Sequence, residues 1–319
     1  MKKLLPLHGF GLLVALLATL VELRPTTAYG SNRGLTTPRA PSGAASTASP
    51  TRPDPLTTAV PLAALSPART EDHVFRSASV GRDLHYLIYL PPGYTNNLAQ
   101  RYAVLYMLHG RGGSYTEWAN YGLLDRATRL VETEAIRPFI IVMPQGDQEY
   151  WVDHANNGPR WGAYVARDLV AEVDSQYRTL ASREKRAVGG VSMGGCGALQ
   201  LAMNFNDVFG VVGAHSPALR TRDTAPDYFG DQAWFDTHSP VPLFKANPER
   251  ARRLKLRIDM GAQDTWSPAA EAFHQQLVAE GVPHTWLSRN GGHSGDYWAA
   301  HVDEYLRYYS SAFQGADPP

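Results

Sequence analysis

The sequence predicts an α/β protein with a mainly parallel central sheet and helices on both faces of that sheet. Two observations predict this fold. From residue 73 onward, short runs rich in Val, Ile and Leu alternate with longer stretches whose apolar residues recur at helical spacing. In addition, residues 139–143 are continuously apolar, which is typical of a parallel strand buried on both faces.

The order of elements begins with a hairpin, because the turn residues Gly81-Arg82-Asp83 separate two strand-like runs at 74–80 and 84–90. Further strands are predicted at 102–108, 139–143, 186–191, 208–214, 254–260 and 284–287. Helices are predicted at 120–133, 164–177, 193–204, 268–280 and 296–310. Residues 216–255 interrupt the alternation. Since ligands bind at the carboxyl ends of strands in such sheets, we expect this segment to be an insertion over the functional site.

The first 28 residues have the layout of a secretory signal peptide. A basic start at residues 1–3 precedes an apolar run at 9–21 and the small residues Thr26-Thr27-Ala28. The run is short for a bilayer-spanning helix. We therefore expect secretion and no stable membrane insertion after cleavage, with an uncleaved anchor as the alternative.

Residues 29–72 are predicted to be a disordered linker. Ala, Thr, Pro and Ser dominate, and residues 31–70 contain no aromatic side chain, so the stretch cannot bury enough apolar surface to fold alone. The alternative is an extended strap that packs along the domain. Residues 73–319 form the predicted folded domain.

Charge and composition exclude several classes of function. The net charge of the 319-residue chain is zero, but residues 1–70 carry +5 and the remainder −5. A mildly acidic domain lacks the basic face that nucleic acid requires. The chain has one cysteine, so an intrachain disulfide is impossible. Neither a His-Glu-x-x-His zinc motif nor a phosphate-binding loop is present, and we expect no metal and no cofactor.

Residues 190–194, Gly-Val-Ser-Met-Gly, match the G-x-S-x-G nucleophile elbow of α/β-hydrolases. This motif is a tight turn between a strand and a helix, and both flanking elements are predicted here. The turn exposes a serine hydroxyl at the amino end of a helix, whose dipole favours developing negative charge. The motif predicts Ser192 as a nucleophile; the alternative is an ordinary serine in a glycine-rich turn.

A serine hydroxyl needs a base, and in α/β-hydrolases the acid and then the histidine follow the serine along the chain. His293 lies in a glycine-rich loop after the last predicted strand. Asp264 lies just past the strand at 254–260, so its carboxylate is expected at the carboxyl end of that strand. Asp259, within that strand, and Asp296, beside the histidine, are the rival acids.

A second glycine-rich loop, at residues 108–114, follows the third predicted strand. In this position the fold places backbone donors for an oxyanion. The backbone N–H groups of Arg111 and Met193 are the predicted donors, and His109 is expected to have a structural role. The alternative is that these glycines only form a turn.

Four motifs together resemble one known family: LPPGY at 90–94, LHGRGG at 108–113, GVSMGG at 190–195 and GGHS at 291–294. Over residues 74–310 the chain resembles the putative-esterase family of α/β-hydrolases, which is similar to feruloyl and acetyl-xylan esterases, S-formylglutathione hydrolases and mycolyltransferases. The resemblance implies a triad of Ser192, Asp264 and His293. Cys196 departs from the family, whose members often have an aromatic residue there, and we expect it to be a small buried hydrophobe.

Tryptophans are concentrated in or beside the predicted carboxyl-end loops: Trp118, Trp151, Trp161, Trp234, Trp266 and Trp298. Aromatic faces suit sugar rings or a phenolic acyl group. We expect substrate contacts from Trp118, Trp151, Trp234 and Trp266. The alternative is a small core beneath the insertion.

The sequence therefore predicts a secreted serine esterase that works through an acyl-enzyme. Its expected substrates are acyl groups on plant polysaccharide or related small esters, of the feruloyl or acetyl type. An acyltransferase with the same triad and a non-catalytic binding protein of this fold are the alternatives.

Overall fold

A computed structural model describes residues 65–315, and the structural statements below concern this range. The predicted signal peptide and residues 29–64 of the predicted linker lie outside the described residues. Eight strands form one sheet in the order β1-β2-β4-β3-β5-β6-β7-β8. Their bounds are β1 Arg69–Ser77, β2 Arg82–Leu90, β3 Val104–Leu108, β4 Ile140–Pro144, β5 Arg186–Val191, β6 Val211–His215, β7 Lys255–Gly261 and β8 Thr285–Arg289.

The helices lie between the strands, as the alternating sequence pattern predicted. A π-helical stretch, Tyr164–Leu169, joins the third and fourth helices into one continuous element. The bounds are α1 Glu117–Asn120, α2 Leu123–Glu132, α3 Trp161–Ala163, α4 Val170–Gln176, α5 Met193–Asn204, α6 Gln232–His238, α7 Pro240–Ala246, α8 Glu249–Arg252, α9 Ser267–Ala279 and α10 Gly295–Phe313.

Strands β3 to β8 pair in parallel, whereas β1 and β2 are antiparallel to their neighbours. This confirms the predicted mainly parallel sheet. Alternate residues of the inner strands enter two separate cores. Val104 and Tyr106 belong to the core that includes α4, α5 and α9, and Leu105 and Met107 to the core that includes α2 and α10. Because both faces of the parallel strands are covered by helices, the carboxyl ends of the strands are the place where a site can form.

Strand β1 corrects the expected boundary between linker and domain. The strand begins at Arg69 and pairs with β2 along its whole length. Ser66 also hydrogen-bonds to the domain, since its carbonyl accepts the Gly93 N–H at 2.8 Å. The segment 65–72 is therefore attached to the domain by backbone hydrogen bonds, and it is not part of the linker. Composition alone missed this because backbone pairing with an open strand edge does not require apolar side chains.

Helix prediction also needs one correction. Residues 120–133 were expected to form one helix, but Gly122, at φ 79°, separates α1 from α2. The segment between β6 and β7, predicted as an insertion, contains α6, α7 and α8 and two short 3-10 turns. Its first residues reach the elbow, where the Ala218 N–H donates to the Ser192 carbonyl at 3.0 Å. No helix within residues 65–315 is long and apolar enough to cross a membrane.

Candidate active site

Ser192 lies at the turn between β5 and α5, with φ 54° and ψ −114°. A positive φ is unfavourable for any residue with a Cβ, so the surrounding structure must hold the turn in place. Three backbone hydrogen bonds do so. The Ser192 N–H donates to the carbonyl of His215 at 3.0 Å, and the Ser192 carbonyl accepts the N–H groups of Cys196 and Ala218. The strained turn leaves the serine side chain at the carboxyl end of the sheet.

Glycine is required on both sides of this serine because other backbone passes close by. A Cβ on Gly194 would lie 2.4 Å from the Leu108 carbonyl oxygen, and a Cβ on Gly190 would lie 2.6 Å from the carbonyl carbon of Gly194. Backbone atoms cannot move aside as the end of a flexible side chain can. The G-x-S-x-G spacing therefore follows from the packing of β3 against the elbow.

A continuous hydrogen-bonded chain joins Ser192, His293 and Asp264. The distance from Ser192 Oγ to His293 Nε2 is 2.8 Å, and that from His293 Nδ1 to Asp264 Oδ2 is 2.7 Å. With Nδ1–H donating to the carboxylate, Nε2 is left to accept the serine proton. The Asp264 side chain is buried, and its other oxygen accepts the Trp266 N–H at 2.8 Å. Both carboxylate oxygens are thus satisfied, which fixes the orientation of the imidazole.

The two rival acids are directed elsewhere. Asp259, within β7, is completely buried, and its carboxylate hydrogen-bonds to His215 Nδ1 and to the Tyr305 hydroxyl. Asp296 is exposed in the first turn of α10. Among the three candidates, Asp264 is the one in contact with His293.

Two backbone segments lie next to the serine: the start of α5 and the loop after β3. Met193 is the first residue of α5, so its N–H has no acceptor within the helix. The loop after β3 passes beside the serine, since a Cβ on Gly110 would lie 3.5 Å from the Ser192 Cβ. The Gly110 N–H donates to Glu117 Oε2 at 2.6 Å, whereas the next N–H, that of Arg111, has no acceptor within residues 65–315.

Glu117 is a site residue that sequence reasoning missed. Its carboxylate accepts the Gly110 N–H and, at 2.9 Å, the Tyr121 hydroxyl. These contacts anchor the loop that carries Arg111. The available sequence signal was an acidic residue seven positions after a glycine-rich turn, which is too common to be informative.

Comparison with known proteins shows similarity to several esterases. A family model described as "Putative esterase" matches residues 77–309. The acetyl esterase of Caldicellulosiruptor saccharolyticus is 24% identical over 225 residues, which cover 65% of this chain and 82% of that protein. An esterase of Mycobacterium tuberculosis is 32% identical over 154 residues, or 47% of this chain, and the matched part is only 32% of that protein. A solved ferulic acid esterase superposes with a TM-score of 0.69 at 24% identity, covering 77% of this chain and 99% of the other.

The chain belongs to the esterase family. It is a carboxylic-ester hydrolase with the α/β-hydrolase fold, as the sequence motifs predicted.

Two of the four tryptophans expected to contact substrate have no exposed face in this esterase, and that expectation was wrong for them. Trp118 is 1% exposed and donates its indole N–H to the Leu108 carbonyl, and Trp151 is fully buried against Gly197. Both belong to the cores on the two sides of the sheet. The sequence placed them near the loops, but packing with residues distant in the chain buries them.

Trp234 and Trp266 are partly exposed, and each has a cation or ring over one face. The Trp234 ring stacks on His238 with centroids 4.3 Å apart, and its N–H donates to the Asp153 carbonyl. The guanidinium of Arg220 lies 4.9 Å from the centre of the Trp266 ring. These two remain candidates for substrate contact, with less free surface than the sequence suggested.

His109 and Cys196 have structural surroundings in the esterase. His109 Nδ1 donates to the Gly110 carbonyl and Nε2 accepts the Gly146 N–H, so the ring links two loops. Burial lowers the pKa of His109, and the neutral imidazole suits these two contacts. Cys196 is buried, as expected, and burial raises the pKa of its thiol to about 12. Within residues 65–315, no group of three or more His, Cys, Asp and Glu side chains is arranged to hold a metal ion.

Proposed function

We propose that this chain is a secreted serine esterase in which Ser192 attacks the ester carbonyl, His293 is the general base and Asp264 orients the histidine. The observation that carries the proposal is the unbroken pair of contacts, 2.8 Å and 2.7 Å, that links the three side chains. These contacts supply a proton path from the hydroxyl to the imidazole and a buried anion behind it.

The reaction then has two stages. As Ser192 Oγ bonds to the ester carbon, its proton moves to His293 Nε2, and the carbonyl oxygen gains negative charge. The N–H groups of Arg111 and Met193 hold this oxygen, and the dipole of α5 adds to their field. His293 then gives its proton to the departing alcohol, and an acyl-serine remains. Water then loses a proton to His293 and bonds to the acyl carbon, and His293 returns this proton to Ser192 Oγ as the free acid leaves.

The proposed substrates are esters of acetyl or feruloyl type, on plant polysaccharide or related small molecules. The relatives named above support this class, one as an acetyl esterase and one as a ferulic acid esterase. Export is proposed from the basic start and apolar run of residues 1–28. Sequencing the amino terminus of protein recovered from the medium of a secreting host would test export and cleavage together. Recovery only inside the cells would contradict it.

Ser192→Ala tests the nucleophile. We expect kcat on a p-nitrophenyl ester to fall by about 10⁴- to 10⁶-fold with the melting temperature unchanged. Labelling with a fluorophosphonate probe should be lost at the same time. Normal turnover in a folded Ser192→Ala variant would overturn the proposal.

A matched panel of acetyl, butyryl and feruloyl esters would then define the acyl group. Product analysis with a sugar acceptor present separates hydrolysis from transfer. We expect free acid as the main product, and an acylated sugar as the main product would identify an acyltransferase instead.

A further inference from the structure

A cleft in the described part of the chain has a volume of about 850 Å³. Small-molecule sites commonly fall between about 300 and 1,000 Å³. The cleft lies between the segment that follows β6 and helix α9, and its lining includes Arg220, Phe235, Val241 and Ala269. Ser192, Asp264 and His293 are not part of the lining, so the cleft is a separate space from the one that holds them.

Arg220 connects this cleft to the reacting residues. It is two residues from Ala218, whose N–H holds the Ser192 carbonyl. Its guanidinium lies over the indole ring of Trp266. The backbone N–H of the same residue donates to the Asp264 carboxylate. Arg220 is therefore joined through neighbouring residues both to the elbow and to the turn that carries Asp264.

The guanidinium of Arg220 is fixed in one orientation. It lies between two rings, 5.1 Å from the centre of Tyr150 and 4.9 Å from the centre of Trp266. Its Nε donates to the Tyr150 hydroxyl at 2.5 Å and Nη1 to the Thr224 carbonyl at 2.9 Å. The Tyr150 backbone has φ 50°, a conformation that costs free energy in an aromatic residue and is retained where the surroundings demand it.

Despite this rigid setting, Arg220 has no carboxylate within 4 Å among the described residues. The arginines most buried in this fold, Arg186 and Arg257, both have such a partner. Together with Arg222 and Lys245, Arg220 makes three positive side chains in the cleft lining. Two carboxylates oppose them, which leaves one net positive charge. A half-buried, pre-oriented guanidinium without an anion is suited to bind one from a ligand, because its planar donors match a carboxylate.

We infer that Arg220 forms a subsite for a carboxylate on the ester substrate, so that the enzyme favours esters bearing a negative charge over neutral esters of the same size. The inference rests on the proposed function and adds a substrate class to it. The carboxylate can belong to the acyl group, as in the monoester of a dicarboxylic acid, or to the alcohol, as in the ester of a hydroxy acid.

Two matched pairs of substrates test this inference. For the acyl side, 4-nitrophenyl hydrogen adipate is compared with methyl 4-nitrophenyl adipate. For the alcohol side, 4-acetoxybenzoate is compared with its methyl ester. We expect the charged member of one pair to have the higher kcat/KM, and Arg220→Gln to lower its advantage by about tenfold or more, mainly through KM. Added salt should reduce the same advantage.

Lys245→Gln is the control, because it removes a positive charge from the same cleft and no aromatic ring among residues 65–315 lies against this charge. We expect it to change the advantage of the charged ester by less than about threefold. Arg220→Lys, which keeps the charge but loses the planar fork, should be intermediate. Two results would overturn the inference: no preference for charge in either pair, or an equal loss on charged and neutral esters in folded Arg220→Gln. Failure of the proposed function differs, since the wild-type protein would then turn over none of the four esters.

Discussion

The indole N–H of Trp298 donates a hydrogen bond to Ser216 Oγ, with 3.0 Å between the two heavy atoms. Ser216 follows β6 with φ 47°, so its side chain is held in a strained turn. The Trp298 ring in turn packs against the ring of His293, with centroids 5.0 Å apart and planes at 87°. The bond therefore fixes a ring that contacts the histidine in addition to its hydrogen bond with Asp264.

Trp298→Phe should slow the reaction without unfolding the protein. The phenyl ring keeps part of the packing on His293 but cannot bond to Ser216, so the imidazole is less well oriented. We expect kcat to fall by about 3- to 10-fold, the effect of one net hydrogen bond, with KM nearly unchanged. Steady-state kinetics on one activated ester measure this change.

Ser216→Ala should give a similar loss, and the double variant should be no worse than either single variant, because both remove the same bond. Trp286→Phe is the matched control, since that ring stacks on His274, away from the site. Additive losses in the double variant would show that the bond is not how these residues act.

The proximity of Ser192 and His293 could be predicted from the sequence, because the position of each residue in this fold follows a simple sequence rule. The elbow needs glycines at fixed spacing, and chain order places a loop histidine at the same edge of the sheet. Choosing the acid is harder, since Asp259 and Asp264 are five residues apart. Strand register directs Asp259 into the core against α10, while the turn after β7 brings Asp264 to the edge.

Burial of the tryptophans could not be predicted from the sequence. Trp151 fits only because Gly197 has no side chain, since a Cβ there would lie 2.7 Å from the indole. These two residues are 46 positions apart, and no local pattern couples them. The start of β1 at Arg69 has the same origin, because its pairing partner Leu90 lies 21 residues along the chain.

Truncation of the amino terminus should show where the stable domain begins. Proteins that start at residue 29 and at residue 65 should melt within about 1 °C of each other, because Tyr29 is the one aromatic side chain among residues 29–64 and the rest is too polar to form a core. A protein that starts at residue 78 lacks β1 and the contact of Phe75 with Tyr164. We expect its melting temperature to fall by about 5 °C or more, as for a loss of about 2 kcal/mol in a domain of this size. A lower melting temperature on starting at residue 65 instead of 29 would show that residues 29–64 pack on the domain.

Asp259→Asn should lower stability. Burial alone would raise the pKa of Asp259, but charge interactions with His215 and Arg257 and the Tyr305 hydrogen bond outweigh it, and the pKa lies below its usual value. A depressed carboxyl pKa stabilises the fold above the unfolded-state value of about 3.9, and this stability is lost as the pH falls through the lower folded-state pKa.

The expected loss at pH 7 is about 3–5 kcal/mol in the free energy of unfolding, since a buried charge pair is broken. The gap between wild type and variant should narrow below about pH 4, where the unfolded-state carboxyl is protonated. Urea unfolding at pH 7 and at about pH 3.5 measures both values. Asp207→Asn, which breaks an exposed pair with Arg167, is the control and should cost less than about 1 kcal/mol. A gap that stays constant with pH would contradict the role of this charge.

Asp264→Asn should be far more damaging to activity than Asp296→Asn. Asparagine is nearly the same size as aspartate, so packing at the buried site is kept while the negative charge is lost. Its amide can also donate to His293 Nδ1, which favours the tautomer with the proton on Nε2, where the serine proton has to go. In serine proteases this change costs about 10⁴-fold in kcat.

At Asp296 the carboxylate is exposed in the first turn of α10 and contributes to that helix terminus. Its loss should cost less than about 1 kcal/mol of stability and leave kcat/KM within about threefold of wild type. The measurement is kcat/KM of both variants on one activated ester, with folding checked by circular dichroism. If Asp296→Asn were the inactive enzyme and Asp264→Asn stayed active, the acid would come from the histidine loop itself. The 2.7 Å contact between Asp264 and His293 would then not be the contact that orients the general base.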